Sequence, residues 1–163
     1  MIFLVDAMLG NIAKKLRLFG FDSTYFSDIE DSELIEKAKR EERIIISKDR
    51  HLIQRAKRKG ILSIYITKED EARQFLEILK IVDLKLDKVS GETARCTKCN
   101  TRTSQTGRLE IKDKIPVGIL ERNDKFWECE KCCRVYWEGT HIKKMQEFLN
   151  KIKYEFQKAE FHV

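Results

Sequence analysis

Five cysteines lie between Cys96 and Cys133 and form the clearest chemical pattern in the sequence. Four of them make two Cys-x-x-Cys motifs, Cys96 with Cys99 and Cys129 with Cys132. Two such motifs can supply the four thiolates of a tetrahedral structural Zn²⁺ site, and their wide separation suits a zinc ribbon. Iron or an iron–sulfur cluster takes the same ligands and stays open. A redox role is disfavoured, because neither motif stands at a strand-to-helix junction.

The fifth cysteine and the histidines add little to this site. Cys133 could replace Cys132 as a ligand, but the Cys-x-x-Cys spacing favours Cys132. His141 as a fourth ligand is disfavoured because four cysteines suffice, and His51 and His162 have no partner evident in the sequence. The odd number of cysteines argues against a disulfide framework and for metal binding.

Carboxylates follow the apolar segments of the amino-terminal half. Asp6 comes directly after residues 2–5, IFLV, and Asp49 follows residues 44–46, III, by three positions. An acidic loop, SDIEDSE, stands before another amphipathic segment. Taken singly, each aspartate is explained as a helix N-cap, which accepts hydrogen bonds from free backbone N–H groups.

Apolar strands alternate with amphipathic helices as far as residue 82. In the first helix, Met8, Leu9, Ile12, Leu16 and Phe19 are expected on the core side, with Gly20 as the stop. The alternation predicts an α/β fold with a parallel sheet covered on both faces. The predicted strands are 2–5, 24–26, 43–47 and 61–66, and the predicted helices are 8–19, 33–41, 49–60 and 69–82.

A parallel sheet would bring the carboxylates together. All its strands end at one edge, and ligands bind outside those carboxyl ends. Asp6, Asp49 and the acidic loop with Asp28, Glu30 and Asp31 should therefore meet in one crevice. Converging carboxylates repel unless a cation lies among them, and hard oxygen ligands suit Mg²⁺ or Mn²⁺. Such a site can activate water for attack on a phosphodiester.

Four stretches together resemble the Mut7-C RNase family, a branch of the PIN-like nucleases. They are FLVDAMLGNIAKKLRLFGFD, DIEDSELIEKAKREERIIISKDRHL, RCTKCN and WECEKCCRVYWEGTHIKKM. The resemblance implies a PIN-like α/β fold, an acidic metal site and endoribonuclease activity. We therefore expect a nuclease domain over 1–90, a zinc ribbon over 91–139, and a helix over 140–163 that packs on the body.

The resemblance also implies catalytic residues. Asp6 matches the first acidic residue of the family, and Asp49 matches the one that ends the ISKD strand. Asp31 is favoured over Asp28 as the middle member. PIN-like sites often carry a further carboxylate after the next strand; here Glu69 and Asp70 are available, and Asp70 is chosen.

The first helix departs from the family, which often has a basic and then an aromatic residue there. This chain has Asn11 and Lys15 at about those places, so how the helix would contact substrate is left open. Lys14, Lys48 and Arg50 are candidate phosphate contacts, with a solvated surface as the alternative for each.

The cysteine-bearing region predicts strands at 108–111 and 126–128. Its aromatic residues Trp127, Tyr136 and Trp137 could stack on bases or fill the interior of the ribbon. The last helix, after Gly139, is expected to pack on the first domain rather than on a second chain.

Composition limits the classes of function. The net charge of +6 and the pI near 9.0 favour a polyanionic partner without establishing one. No apolar run is long enough to span a membrane, and the first residues lack the features of a signal peptide. We expect a cytoplasmic, monomeric protein that acts on single-stranded RNA.

Two other functions remain open at this point. One is a non-catalytic RNA-binding or adaptor protein, in which the aspartates are only caps and the ribbon carries the function. The other is DNA cleavage by the same site, because the sequence contains no recognisable reader of the 2′-hydroxyl.

Overall fold

The computed structural model describes residues 1–82, 84 and 89–160, without the side chains of 140, 141, 159 and 160. His162, the side chain of His141 and part of the predicted domain boundary lie outside this description. The strands are β1 (Ile2–Val5), β2 (Asp22–Tyr25), β3 (Ile44–Ser47), β4 (Ser63–Tyr65), β5 (Thr103–Thr106), β6 (Phe126–Cys129) and β7 (Val135–Trp137). The helices are α1 (Gly10–Leu18), α2 (Asp31–Arg40), α3 (Arg50–Arg58), α4 (Glu71–Ile81), α5 (Arg108–Ile111), α6 (Val117–Arg122) and α7 (Thr140–Glu160).

The first four strands form one parallel sheet in the order β2-β1-β3-β4. Val5 is in register with Tyr25 on one side and with Ile46 on the other. The neighbouring strands thus end side by side at one edge, which we call the carboxyl edge. The prediction of an α/β fold with a parallel sheet flanked by helices is confirmed.

Helices cover both faces of the sheet. Phe3 and Val5 point into a core cluster shared with α1, α4 and α7, whereas Leu4 points into a second cluster shared with α2 and α3. This alternation follows from the two-residue period of a strand. Burial on both faces explains why the strands are continuously apolar.

The first helix does not begin where its pattern suggested. Residues 7–9 form a short 3-10 turn, and α1 starts at Gly10. Met8, expected on the core side, is 71% exposed; that prediction was wrong. A 3-10 turn has three residues per turn, so it shifts Met8 out of phase with the α-helix that follows. Gly20, with φ of +92°, ends the helix as predicted.

The cysteine-bearing region contains a three-stranded antiparallel sheet in the order β5-β6-β7. The strand predicted at 126–128 is confirmed, but 108–111 is the single helical turn α5. That turn buries Ile111 against Phe126 while Leu109 faces solvent. One large anchor in a four-residue segment is satisfied by either conformation, so the sequence could not distinguish them.

The last helix, α7, packs against α1 and α4. The rings of Phe75 and Phe148 meet edge to face at 5.3 Å, and Ile152 is buried in the core beside α4. Lys15 of α1 lies 5.1 Å over the Phe148 ring and forms an ion pair with Glu71. None of the described helices combines the length and the apolar character needed to cross a membrane.

The ribbon meets the sheet at the amino ends of the strands. Asn100 accepts a hydrogen bond from the backbone N–H of Ser23 at 3.1 Å and donates to Asp22 at 2.9 Å. Asp22 begins β2 and pairs with Ile2 at the beginning of β1. The ribbon therefore lies at the edge opposite Asp6, one strand length from the carboxyl edge.

Candidate active site and metal centre

Asp6 and Asp49 are connected through one serine. Ser47, the last residue of β3, is fully buried. Its hydroxyl donates to the Asp6 carboxylate at 2.6 Å and accepts the backbone N–H of Asp49 at 2.8 Å. Asp6 is further fixed by its own N–H, which donates to the Ile46 carbonyl at 3.0 Å. The carboxyl ends of β1 and β3 are thus joined by a continuous chain of hydrogen bonds.

The helix-cap explanation applies to Asp49 but not to Asp6. The Oδ1 atom of Asp49 accepts the backbone N–H groups of His51 at 2.7 Å and Leu52 at 3.1 Å, which caps α3. Asp6 precedes the 3-10 turn without making any such side-chain bond. Capping therefore does not explain why Asp6 is a carboxylate.

The candidate middle residues lie on the α2 and α3 side of the sheet. Asp31 begins α2 and forms an ion pair with Arg55 of α3 at 3.2 Å, where both side chains are about half exposed. Asp28 lines a separate groove together with Phe26 and Glu33. Neither residue makes a described contact with Asp6.

Asp70 is engaged by two helices. Its Oδ1 atom caps α4 by accepting the N–H groups of Ala72 and Arg73, and its Oδ2 atom accepts from Lys151 of α7 at 3.0 Å. The hydrogen bond from Lys151 is the main cause of a lowered pKa at Asp70. The Asp70 carboxylate therefore links α7 to the carboxyl edge of the sheet.

The candidate phosphate contacts differ in their surroundings. Lys48 forms an ion pair with Glu69 at 2.7 Å, and both side chains line a groove of about 400 Å³ around the start of α1. Lys14 lines the same groove and is exposed, as is Arg50 at the start of α3. Lys15, in contrast, lies between helices.

The four cysteines of the two motifs converge. The sulfur atoms of Cys96, Cys99, Cys129 and Cys132 all lie within 4.8 Å of one another. Two pairs are closer still, at 3.5 Å for Cys96 with Cys132 and 3.3 Å for Cys99 with Cys129. Four thiol groups gathered in this way could hold a metal ion such as zinc. Cys133 is exposed and outside the group.

In the described part of the chain, this is the only group of three or more His, Cys, Asp or Glu ligand atoms so close together. The carboxylates near Asp6 share an edge of the sheet without forming a cluster of that density. The four thiol groups therefore form a compact cluster, whereas the carboxylates are spread along the edge of the sheet.

Neighbouring groups divide the cysteines into two kinds. Burial opposes ionisation of Cys96 and Cys99, but hydrogen bonds outweigh it, chiefly from Tyr136 at Cys96 and Thr101 at Cys99; the pKa of Cys99 falls to about 6. Burial raises the pKa of Cys129 to about 12. Metal binding requires the thiolates, so an ion at this cluster would displace the remaining thiol protons.

Comparison with protein families identifies the family of this chain. The model of the Mut7-C RNase domain matches residues 1–149. The chain belongs to the Mut7-C RNase domain family. Comparisons with curated proteins and with solved structures gave no significant match.

The Mut7-C match includes both the sheet with Asp6 and the four-cysteine cluster, so the two sites belong to one family unit. It ends within α7, before Lys151. The ion pair between Lys151 and Asp70 is thus a contact from outside the matched region of this Mut7-C chain.

Sequence reasoning missed Ser47 and Tyr25, which the structure brings to the carboxyl edge of the Mut7-C sheet. Ser47 is a polar residue that ends an otherwise apolar strand, and that position was a usable signal. Tyr25 ends β2 and lines the groove around α1. An aromatic residue at a strand end is ordinary in a core, so its sequence position gave no such signal.

Proposed function

We propose that this protein is a metal-dependent endoribonuclease that hydrolyses phosphodiester bonds of single-stranded RNA. In this proposal residues 1–90 carry the catalytic site, 91–139 form a zinc ribbon, and 140–163 form a helix that packs on the body. The observation that carries the proposal is the hydrogen-bonded chain Asp6–Ser47–Asp49 at the carboxyl edge of the sheet. Its occurrence in a chain of the Mut7-C RNase domain family supports a nuclease rather than another ligand-binding function.

The donor set fits a hard divalent cation. Asp6 has a carboxylate oxygen beyond the one that accepts from Ser47, and Asp49 has one beyond its capping oxygen. Mg²⁺ and Mn²⁺ bind through one or two carboxylates and keep several waters, so a dense cluster is not needed. When bound, such an ion activates water and neutralises charge on the phosphate.

The side chains of the chain supply orientation and charge. Ser47 holds the Asp6 carboxylate, and the start of α3 holds Asp49, so both are preorganised before substrate binds. Lys14, Lys48 and Arg50 provide positive charge along the same edge, where they can contact the phosphates that flank the scissile bond. Asp31, Asp28 and Asp70 remain candidates for additional catalytic carboxylates.

The four-cysteine cluster has a structural part in the proposal. With Zn²⁺ held by Cys96, Cys99, Cys129 and Cys132, no position is left open for a substrate. The ion would stabilise the ribbon, because binding free energy at such a site is also folding free energy. Catalysis is therefore assigned to the carboxyl edge alone.

The deciding experiment is cleavage of end-labelled single-stranded RNA and of the matched DNA by purified protein. We expect internal cuts in RNA with Mn²⁺ or Mg²⁺, no cutting in EDTA, and recovery when Mg²⁺ is added back. Asp6→Asn should abolish cleavage, since it removes the charge while leaving an oxygen for Ser47. Full activity of that variant would exclude Asp6 from the mechanism.

Asp124→Asn is a matched control for this substitution. Asp124 is 93% exposed and pairs with Arg108 in the ribbon insert, remote from the carboxyl edge. Zinc content is measured for each sample, because EDTA acting on the cysteine cluster would not be reversed by Mg²⁺.

A non-catalytic RNA-binding protein is the second candidate function. The hydrogen bonds by which Asp49 and Asp70 cap α3 and α4 favour it, because capping alone accounts for those two carboxylates. It predicts RNA binding that weakens with salt, needs no divalent cation and survives Asp49→Asn, with no cleavage under any condition.

A further inference from the structure

A groove of about 400 Å³ curves around the start of α1 at the carboxyl edge of the sheet. Tyr25 ends β2, Lys48 follows β3 and Glu69 follows β4, so three strands contribute to it. Asp6 follows β1, which lies between β2 and β3. The groove is thus at the same edge as the proposed catalytic carboxylates. Its lining includes Asn11, Lys14, Tyr25, Lys48 and Glu69.

The ring of Tyr25 is seated against the backbone of Gly10. A Cβ atom at Gly10 would lie 3.0–3.1 Å from the far end of the Tyr25 ring, so any other residue there would displace the ring by a few tenths of an ångström. The ring also packs against the core cluster around α1, yet it remains partly exposed in the groove. Its hydroxyl has no hydrogen-bond partner among the described residues. Tyr25 is thus the aromatic member of a lining that has both polar and apolar side chains, the latter including the exposed Met8.

The groove lining carries two lysines and two glutamates, and both glutamates are held in ion pairs, Glu71 with Lys15 and Glu69 with Lys48. Lys14 is exposed and has no ion pair with any described residue. Lys48 is paired with Glu69, which is 88% exposed. An exposed ion pair contributes little free energy, so a phosphate can replace Glu69 as the partner of Lys48. Asn11 adds an exposed amide that can both donate and accept hydrogen bonds at the edge of a base.

We propose that this groove binds one unstacked base of the RNA and its adjoining phosphate, with Tyr25 as the stacking surface. The inference rests on the proposed nuclease function and assigns the site that would select its single-stranded substrate. In a duplex the base faces are covered by their neighbours, whereas bases of single strands stack on aromatic side chains. Tyr25 is therefore a substrate-positioning residue, and Lys14 and Lys48 are its phosphate partners.

The test is a double-mutant cycle between Tyr25 and one base of the RNA. Binding of fluorescent oligonucleotides is measured with full-length Asp6→Asn protein and without added divalent cation. Tyr25→Leu should weaken binding roughly 5- to 100-fold, the range for loss of one stacked base, while Tyr25→Phe binds normally. One abasic position in the RNA should cost the Tyr25 protein a similar factor. The same abasic position should cost Tyr25→Leu nothing further.

Two exposed variants keep the test decisive if Tyr25→Leu does not fold. Glu69→Gln should bind RNA more tightly, because Lys48 is released to the phosphate. Lys14→Ala should lower the slope of log affinity against log salt by about 1, as expected for one lost phosphate contact, whereas Lys144→Ala on α7 should not.

The outcomes separate this inference from the nuclease proposal. If Tyr25→Leu and an abasic position each weaken RNA binding, and the two losses of affinity add at every position tested, the base-stacking role is overturned. This holds even if the protein cuts RNA. A protein that never cuts RNA, but shows the coupled losses, would retain the groove as a binding site and refute the nuclease. Equal affinity for duplex and single strand would also overturn the groove proposal.

Discussion

Ser47 makes the two hydrogen bonds that connect β1 and β3 at the candidate active site. Ser47→Ala would remove the donor to Asp6 and leave the partly buried N–H of Asp49 without its partner. We expect the free energy of unfolding to fall by about 1–3 kcal/mol. We also expect activity or metal affinity to fall about 10–100-fold, as for residues that orient metal ligands.

Ser63 offers a matched control one strand away. It is also a buried serine, but its hydroxyl has no hydrogen-bond partner among the described residues. Ser63→Ala should leave both stability and cleavage close to wild type. Urea unfolding and the Mn²⁺ dependence of RNA cleavage measure the two effects; equal behaviour of the two alanine variants would refute the orienting role of Ser47.

At the residue scale, the sequence predicted where the carboxylates lie but not how they are held. Asp6 and Asp49 follow apolar strands, and the parallel sheet brings those strand ends to one edge, as expected from strand type alone. The connection through Ser47 depends on a side-chain rotamer in the folded sheet. The ion pair of Asp31 with Arg55 likewise depends on how α2 and α3 pack, which no local pattern contains.

At the scale of elements, Arg17 connects α1 to the first cysteine motif. The side chain is only 6% exposed and donates to the backbone carbonyls of Ser23 at 2.8 Å and Thr97 at 2.7 Å. Burial lowers the pKa of its guanidinium despite the nearby cysteines. Since Thr97 lies between Cys96 and Cys99, the guanidinium group of Arg17 joins the helix to the motif.

Arg17→Lys should therefore be harmful despite keeping the charge, because an ammonium group cannot reproduce the forked geometry. We expect a loss of about 2 kcal/mol or more in unfolding free energy, from buried carbonyls left without donors. Zinc should also pass faster to a colorimetric chelator. Arg122→Lys, at an exposed position of α6, is the control, and unchanged stability and zinc release in Arg17→Lys would contradict the connection.

Helices and strands could be predicted where the hydrophobic periodicity extended over many residues, but not where it was short. The alternation of apolar strands with amphipathic helices indicated the four-stranded sheet and α1 to α4. In the ribbon insert, Ile111 alone anchors α5, and a single buried residue has no period. The displaced position of Met8 has the same origin, because one 3-10 turn changes the phase of the helix pattern.

At the scale of the whole molecule, the position of the ribbon was not predictable. It meets the amino ends of the strands through backbone carbonyls of its first motif and through Asn100, which has a φ of +65°. Contacts of this kind use backbone carbonyls or depend on the placement of one side chain, so they leave no mark in composition or spacing. The ribbon and Asp6 therefore lie at opposite edges of the same sheet.

A charged network at this amino edge joins several elements. Arg43, which directly precedes β3, donates to Asp22, to Glu41 and to the carbonyl of Phe3. Asp22 also accepts a hydrogen bond from Asn100 of the ribbon. Hydrogen bonds from Lys37 and then Arg43 lower the pKa of Glu41 from 4.5 to about 2. The network is therefore sensitive to acid.

The sign of that sensitivity follows from the direction of the shift. A carboxylate whose pKa is lowered on folding stabilises the fold above its unfolded-state pKa, and this contribution disappears as the pH falls through the folded-state value. The difference in unfolding free energy between wild type and Glu41→Gln should be complete above about pH 4.5 and vanish towards pH 2. Glu41 is 29% exposed, so solvent screening limits the difference to about 1 kcal/mol.

Urea unfolding of the two proteins at a series of pH values measures this difference directly. Both proteins carry the same four-cysteine cluster, so a metal ion held there would be lost in acid from wild type and variant alike. Glu121→Gln, at an exposed position of α6, should show no such pH-dependent difference from wild type. A Glu41→Gln difference that grew as the pH fell would mean that Glu41 is held in its neutral form, and the network would then stabilise the amino edge by packing rather than by charge.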